Sequence, residues 1–301
     1  MRRGLAFGLA ACCVTAACGV RLDGGQPSGP DADPSNPDAA VEPDASTDGP
    51  APLGPWGPPQ RITAAASSLI EDDASLSSTG LELFFSVVDA AANNKKDLWT
   101  MKRTSVTAPW GAPAKLSFDT TTYSEETARL SDDDLTLYFA SDRPGGPGLL
   151  DIYKTTRTAV GGAWSTPQLV PGVSTAQADK WFMPCSGTNS YMVIFGPEIG
   201  QGTLGAQPTV CAELSSAQTE TGTFLSQDCK TVHFASNRSG TNKLYTSTRT
   251  AVGATWGAPQ EVTTFSGVGG AQEDPWIAAD SRTFVFVSDV TGSKDVYIST
   301  R

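Results

Sequence analysis

The sequence repeats itself five times, and the repeat is cut in complementary places at its two ends. Apolar cores LFFS (83–86), LYFASDR (137–143), VIFG (193–196), VHFASNR (232–238) and FVFVSD (284–289) put Phe85, Phe139, Phe195, Phe234 and Phe286 at one position of a unit. Four steps from Phe85 to Phe286 give a spacing of about 50 residues, a period that marks solenoids, propellers or arrays. A turn precedes each core: LSSTG, LSDDD, CSGTN, LSQDC and AADSR. A further strand follows in four units, as DLW (97–99), DIY (151–153), KLY (243–245) and DVY (295–297). In the third unit VCAEL (210–214) stands in its place, and that unit is expected to be the least regular. Short β-rich runs broken by Gly, Asn, Asp and Ser are strand–turn–strand units. No stretch of about ten residues keeps a helical apolar stripe.

The cores are apolar on both alternating faces: Leu137 and Phe139 point one way, Tyr138 and Ala140 the other. Strands buried on both sides arise when small sheets stack face to face, as in a β-propeller. A solenoid needs no device to join its ends, but this chain has one. PWGAPAKL (109–116), AWSTPQLV (163–170) and TWGAPQEV (255–262) share Trp-x-x-Pro, and an arginine lies seven residues before each Trp: Arg103, Arg157 and Arg249. The chain ends at Arg301, just where the next such strand is due, and the missing strand, PWGPPQRI (55–62), stands at the other end. The prediction is an all-β, five-bladed β-propeller closed by an N-terminal strand that completes the last blade. An outermost strand also tolerates Pro59, Pro113, Pro167 and Pro259, because one of its edges makes no ladder bonds.

The stretch LSDDDLTLYFASDRPGGPGLLDIY resembles the WD-like propeller repeat of TolB-type periplasmic proteins. The resemblance covers roughly residues 55–301 and is strongest in the second, fourth and fifth units. It implies a propeller that binds proteins or small ligands, and no single activity, since propellers host many functions. TolB proteins carry six blades and an additional domain. Five units are read here, so TolB's own partner is not carried over.

The segment 1–17 opens on Arg2 and Arg3 and continues as an apolar run too short to span a bilayer, the pattern of a secretory signal. VTAAC resembles the end of a bacterial lipoprotein signal and points to lipidation at Cys18, with Cys12 in LAAC as the alternative. Gly19 then resembles the outer-membrane sorting pattern. Residues 18–54, rich in Pro, Asp and Ala, read as a disordered acidic tether, because like charge and low hydrophobicity leave nothing to offset the entropy of ordering. Residues 55–301 form the propeller. A net charge of −11 argues against nucleic-acid binding, which needs clustered Lys and Arg.

Inner strands of a propeller line its axis. Here they begin EDDASLS (71–77), EETARLS (125–131), DKWFMPCS (179–186), ETGTFLS (220–226) and EDPWIAA (273–279). Glu71, Asp72, Glu125, Glu126, Asp179, Glu220, Glu273 and Asp274 therefore gather at one mouth, with Arg143 and Arg238 returning to the same end and Trp181 and Trp276 nearby. Three readings stand. The acids pin loops by pairing with arginines and backbone N–H groups. They form a mouth for sugars or hard cations. Or two of them hydrolyse a glycan, which requires one raised pKa; recurrence in every unit speaks against that. His233, the one histidine, reads as a packing residue, and no Ser–His–Asp set or His-rich metal site can be assembled. Cys185, Cys211 and Cys229 allow one disulfide, with Cys211 to Cys229 the pairing expected. The expectation is a lipid-anchored envelope module that binds or scaffolds an envelope protein or a glycan. No catalytic residue, cofactor or metal is assigned. The alternative is a carbohydrate-active propeller.

Overall fold

Each apolar core becomes the second strand of an antiparallel sheet in the computed structural model, which describes residues 52–66, 69–89, 94–120 and 122–301. The signal segment 1–17, Cys18, Cys12 and most of the tether lie outside those residues. The first blade comprises β2 (Ile70–Leu76), β3 (Glu82–Asp89), β4 (Lys95–Lys102) and β5 (Ala114–Lys115). The second comprises β6 (Glu125–Leu130), β7 (Thr136–Ser141), β8 (Asp151–Thr156) and β9 (Gln168–Leu169). The third runs through β10 (Asp179–Pro184), β11 (Ser190–Phe195), β12 (Glu198–Thr203) and β13 (Thr209–Val210). The fourth is β14 (Glu220–Leu225), β15 (Thr231–Ser236), β16 (Lys243–Thr248) and β17 (Gln260–Glu261). In the fifth, β18 (Gln272–Ile277), β19 (Thr283–Ser288) and β20 (Asp295–Thr300) are completed by β1 (Gln60–Arg61) from the other end of the chain. The innermost strands meet in the cyclic order β2, β6, β10, β14, β18 and back to β2, so the five blades form a ring.

Closure works as the cut repeat requires. Gln60 lies opposite Ile298 and Arg61 opposite Tyr297. The Gly57 and Ile62 amides donate to the Thr300 and Val296 carbonyls at 2.9 and 2.8 Å. The arginine seven residues before each internal Trp has a clear purpose: Arg103, Arg157 and Arg249 lie 4.3, 4.5 and 4.2 Å from the ring centres of Trp110, Trp164 and Trp256. Arg301 repeats the stack across the seam, 4.1 Å from Trp56. Each of these arginines also donates Nε to a turn carbonyl, those of Gly80, Asp134, Cys229 and Ser281. The cation over the indole face and the bonded Nε together tie the outer strand to the turn at the inner strand's end.

Both faces of the second strands are buried, as face-to-face stacking demands. Leu137 and Phe139 pack with Phe84 and Leu98 of the first blade, while Ala140 packs with Phe182 and Val193 of the third. Tyr138 tilts onto Phe182 at 5.2 Å. The third blade corrects the sequence reading. Its third strand is Glu198–Thr203, not VCAEL, and its outer strand is Thr209–Val210, where Pro208 keeps the usual proline but no Trp precedes it. The blade keeps the four-strand pattern but is the least regular, as expected: it lacks the Arg–Trp stack, and a two-residue turn joins β11 to β12. With no Trp to stack, the Tyr191 hydroxyl bonds the Ala206 carbonyl at 2.6 Å and holds the shorter connection.

The disulfide also differs from the expected pairing. Cys185 bonds Cys229, and Cys211 is a buried free thiol. The reason is the repeat itself. Cys185 and Cys229 sit in matching inner turns of adjacent blades, whereas Cys211 follows an outer strand. The same turns of the first and second blades are joined without sulfur, by the Ser78 amide and hydroxyl donating to Asp134 at 2.8 and 2.7 Å.

Candidate functional site

All five inner strands carry a bulge at one position, and the residue there lies in the left-handed region. Asp73, Thr127, Trp181, Gly222 and Asp274 have φ of 57°, 59°, 49°, 60° and 52°. The pairing register shifts at each of them. An L side chain costs about 1–3 kcal/mol in such a conformation, and four of the five residues are not glycine. Gly222 has no alternative, because a Cβ there would meet the Asp274 backbone at 2.6 Å. The bulges re-aim side chains toward the axis at the end where the sequence gathers its acids.

Those acids fall into two sets. Glu71, Glu125, Asp179 and Glu220, which open their strands, are at most 1% exposed, and Gln272 holds the same place in the fifth blade. Arg143 reaches Glu125 at 2.8 Å and Arg238 reaches Glu220 at 3.0 Å, each arginine also donating Nε to Ser141 or Ser236. Asp179 accepts from the Thr175 amide and hydroxyl, and burial still pushes it up to about 6. The Asx residues that follow the second strands accept from the backbone ahead of the inner ones: Ser124 to Asp142, Thr219 to Asn237 and Ala271 to Asp289. In this set the loop-pinning pairs are present in the structure.

The second set lies nearer the axis and pairs with lysines. Lys96 lies 3.0 Å from Asp72, 2.8 Å from Asp73 and 3.3 Å from Glu126. Lys180 reaches Glu126 at 3.0 Å, and Lys294 joins Asp72 to Glu273 at 3.0 and 2.6 Å. Asn242 donates to Glu273 at 2.5 Å. Burial alone would raise Asp72, but Lys96 and Lys294 outweigh it and hold the carboxylate well below its ordinary range. Asp274 goes the other way: burial, then Asp72 and Asp73, push it well above the ordinary carboxylate range. The sequence reading named none of the three lysines. Trp181 is buried at its bulge with Lys180 5.7 Å from its ring centre, and Trp276 faces the opposite mouth. Among the described residues, two groups of three carboxylates are close enough to share a cation, Asp72/Glu273/Asp274 and Asp97/Asp119/Glu125. Lys294 already bonds two members of the first.

The opposite mouth opens into a cavity of about 420 Å³. Leu76, Met183, Phe224, Leu225 and Trp276 line it, and Ser131, Asp132, Ser226, Gln227 and Asp228 lie at its turns. Phe224 and Trp276 stand 5.7 Å apart, centre to centre. Arg129, 1% exposed, lies at its inner end, bonded through Nη1 to the Ala128 carbonyl at 3.0 Å. His233 lines the wall edge-on to Phe284, and burial lowers its imidazole to about 4, so it is neutral.

No protein-family model and no curated protein matches the sequence. Solved structures with similar folds include Zg3597, a family 117 glycoside hydrolase of Zobellia galactanivorans, at TM-score 0.54 and 10% identity, with 82% of this chain and 90% of that one covered. An endo-arabinase of Bacteroides thetaiotaomicron follows at TM-score 0.53 and 9% identity, covering 82% and 98%. TolB of Acinetobacter baumannii is similar at TM-score 0.49 and 10% identity, covering 79% of this chain and 56% of that one. At these identities the likeness is one of fold, and the fold is the five-bladed propeller that the repeat predicts.

Proposed function

We propose that the chain is a binding module of the cell envelope that takes its partner at the axial cavity. The supporting observation is the division of labour between the mouths. At the acidic mouth the charges meet one another, while the other mouth, with apolar walls, Arg129 at its inner end and a hydroxyl and carboxylate rim, is open to a ligand. Binding sites are commonly concave and apolar with a few polar groups. The envelope placement rests on the lipoprotein-like pattern at Cys18.

A glycan is the ligand class that the hydroxyl and carboxylate rim favours, since sugar hydroxyls bond such groups, with Phe224 and Trp276 in the apolar wall. Hydrolysis of that glycan has less support. It needs two carboxyl groups flanking the bond, one of them with a raised pKa. Asp228 at the cavity is lowered by its bonds from Ser226 and Lys230, and Asp134 is engaged by Ser78. The carboxyls with raised pKa values, Asp119, Glu125, Asp151, Asp179 and Asp274, all lie away from the cavity.

The test is a glycan panel together with pull-down from envelope fractions, using the full chain, Trp276→Ala and Gln227→Trp. Gln227 is exposed on the rim, so its replacement blocks the cavity without touching the core. Retention of a glycan or envelope protein that both variants abolish, with no reducing sugar released, is expected. Binding that survives both changes overturns the site. Sugar release that Glu125→Gln or Glu273→Gln abolishes would establish the enzymatic alternative instead.

A further inference from the structure

We infer that Asp97, Asp119 and Glu125 form a site for a hard divalent cation, of the calcium class, between the first and second blades. One carboxylate oxygen from each lies within 4.8 Å of those of the other two. Oxygens that share a metal at the 2.3–2.6 Å typical of calcium stand no farther apart than about 5 Å. The three side chains come from β4, from the loop after β5, and from the start of β6, so a cation there would clamp two blades together.

A group of acids alone would say little; the orphaned atoms say more. Glu125 is fully buried, and its Oε1 is taken by Arg143, while its Oε2 makes no well-formed hydrogen bond, the side chain's other close neighbours being the Thr120 amide and the Asp119 carboxyl. Asp119 repeats the pattern: Oδ2 accepts the Leu98 amide at 2.6 Å, and Oδ1 makes no well-formed hydrogen bond, with the Glu125 carboxyl as the side chain's other close partner. Asp97 Oδ1 meets only the Lys115 ammonium, 2.7 Å away. Buried acceptors left without donors are rare and call for a shared proton, a water or an ion.

The repeat shows that structure does not require an acid at Asp119. Its neighbours in the second and third blades are Ser174 and Ser215, whose hydroxyls accept the Ile152 and Ile199 amides at 2.9 and 3.3 Å, the same task that Asp119 performs for Leu98. A serine suffices there; the carboxylate adds only charge, beside two other acids. Carboxylate oxygens without nitrogen or sulfur select calcium or magnesium over zinc. Asp97 and Asp119 are only partly buried, which leaves room for waters to complete the shell. Lys115 is the competitor, and with 29% of its side chain exposed it is free to swing away. The site is independent of the binding cavity.

The test is calorimetric titration of the full chain with CaCl₂ or MgCl₂, alongside thermal melts. At a hundredfold excess over Kd, a one-site ligand should raise the Tm of a unit this size by about 5 °C or more. Asp119→Ser, which keeps the Leu98 bond, should melt normally without metal and lose the response, and Lys115→Met should bind several-fold tighter. Loss of both calorimetric binding and Tm response in Asp119→Ser separates this site from the acidic tether, which that variant leaves intact. No response to either cation means that Asp119 and Glu125 merely share a proton, and overturns the proposal. A response that Asp119→Ser retains overturns it too.

Discussion

Replacing Lys96 by Met removes the cation on which three acids converge. The ammonium lies within 3.3 Å of Asp72, Asp73 and Glu126, and none of these carboxylates is more than 8% exposed. Attraction to these acids outweighs burial and holds the lysine well above its ordinary pKa. Breaking a buried pair by removing one partner costs about 3–5 kcal/mol, because the remaining charge is stranded. Lys180 still reaches Glu126 and Lys294 still reaches Asp72, so the lower end, about 3 kcal/mol, is the expectation. For a unit of this size that is a fall in Tm of about 6–12 °C. The pH dependence carries the sign. In the wild type, Asp72 has a lowered pKa in the folded state, so its contribution is present above the unfolded value of about 3.9 and is lost only as pH falls through the folded one. Without Lys96, burial raises Asp72, and the deficit should be full at neutral pH and shrink on acidification toward pH 4. Denaturant titrations at a series of pH values read both effects. A loss below about 1 kcal/mol, or one independent of pH, would refute the claim that lysines hold this mouth.

Two further outcomes follow from the described geometry. Replacing Cys185 and Cys229 together by Ala opens a loop with a sequence separation of 44 and should cost about 4 kcal/mol by chain entropy, read as a lower denaturation midpoint. A change below about 1 kcal/mol would place Cys185 and Cys229 apart. His233 has a folded pKa of about 4 against about 6.5 unfolded, so the unfolded chain takes up the proton first and stability falls as pH drops between those values. His233→Phe should flatten that part of the profile, and an unchanged slope would show that the imidazole is not buried.

The ring and its seam were legible in the sequence because they are periodic: Phe85, Phe139, Phe234 and Phe286 mark four blades, while in the third Val193 holds their place and Phe195 lies two residues on, and the spacing of Arg to Trp marks four outer strands, including the displaced one. The third blade was misread for the same reason. Its outer strand keeps Pro208 but lost the Trp by which the others are recognised, and EIGQGT has no DIY-like signature. At the acidic mouth the carboxylates share repeat positions and were visible. Lys96 and Lys294 share one repeat position, directly before DLW and DVY, but the second and fourth units carry Leu150 and Asn242 there, and Lys180 stands on an inner strand, so the lysines do not recur from unit to unit as the acids do. The left-handed bulges were hidden because Asp, Thr and Trp stand where a glycine would have signalled the conformation.

Hydrogen exchange at the seam tests the closed ring most directly. The Gly57 and Ile62 amides, bonded to Thr300 and Val296, should exchange as slowly as those of the β20 residues they pair with, and Trp56→Ala with Arg301→Ala should release both together. If residues 57–62 exchange at the rate of an unstructured peptide while 295–300 stay protected, the chain's ends do not share a sheet and the ring is open.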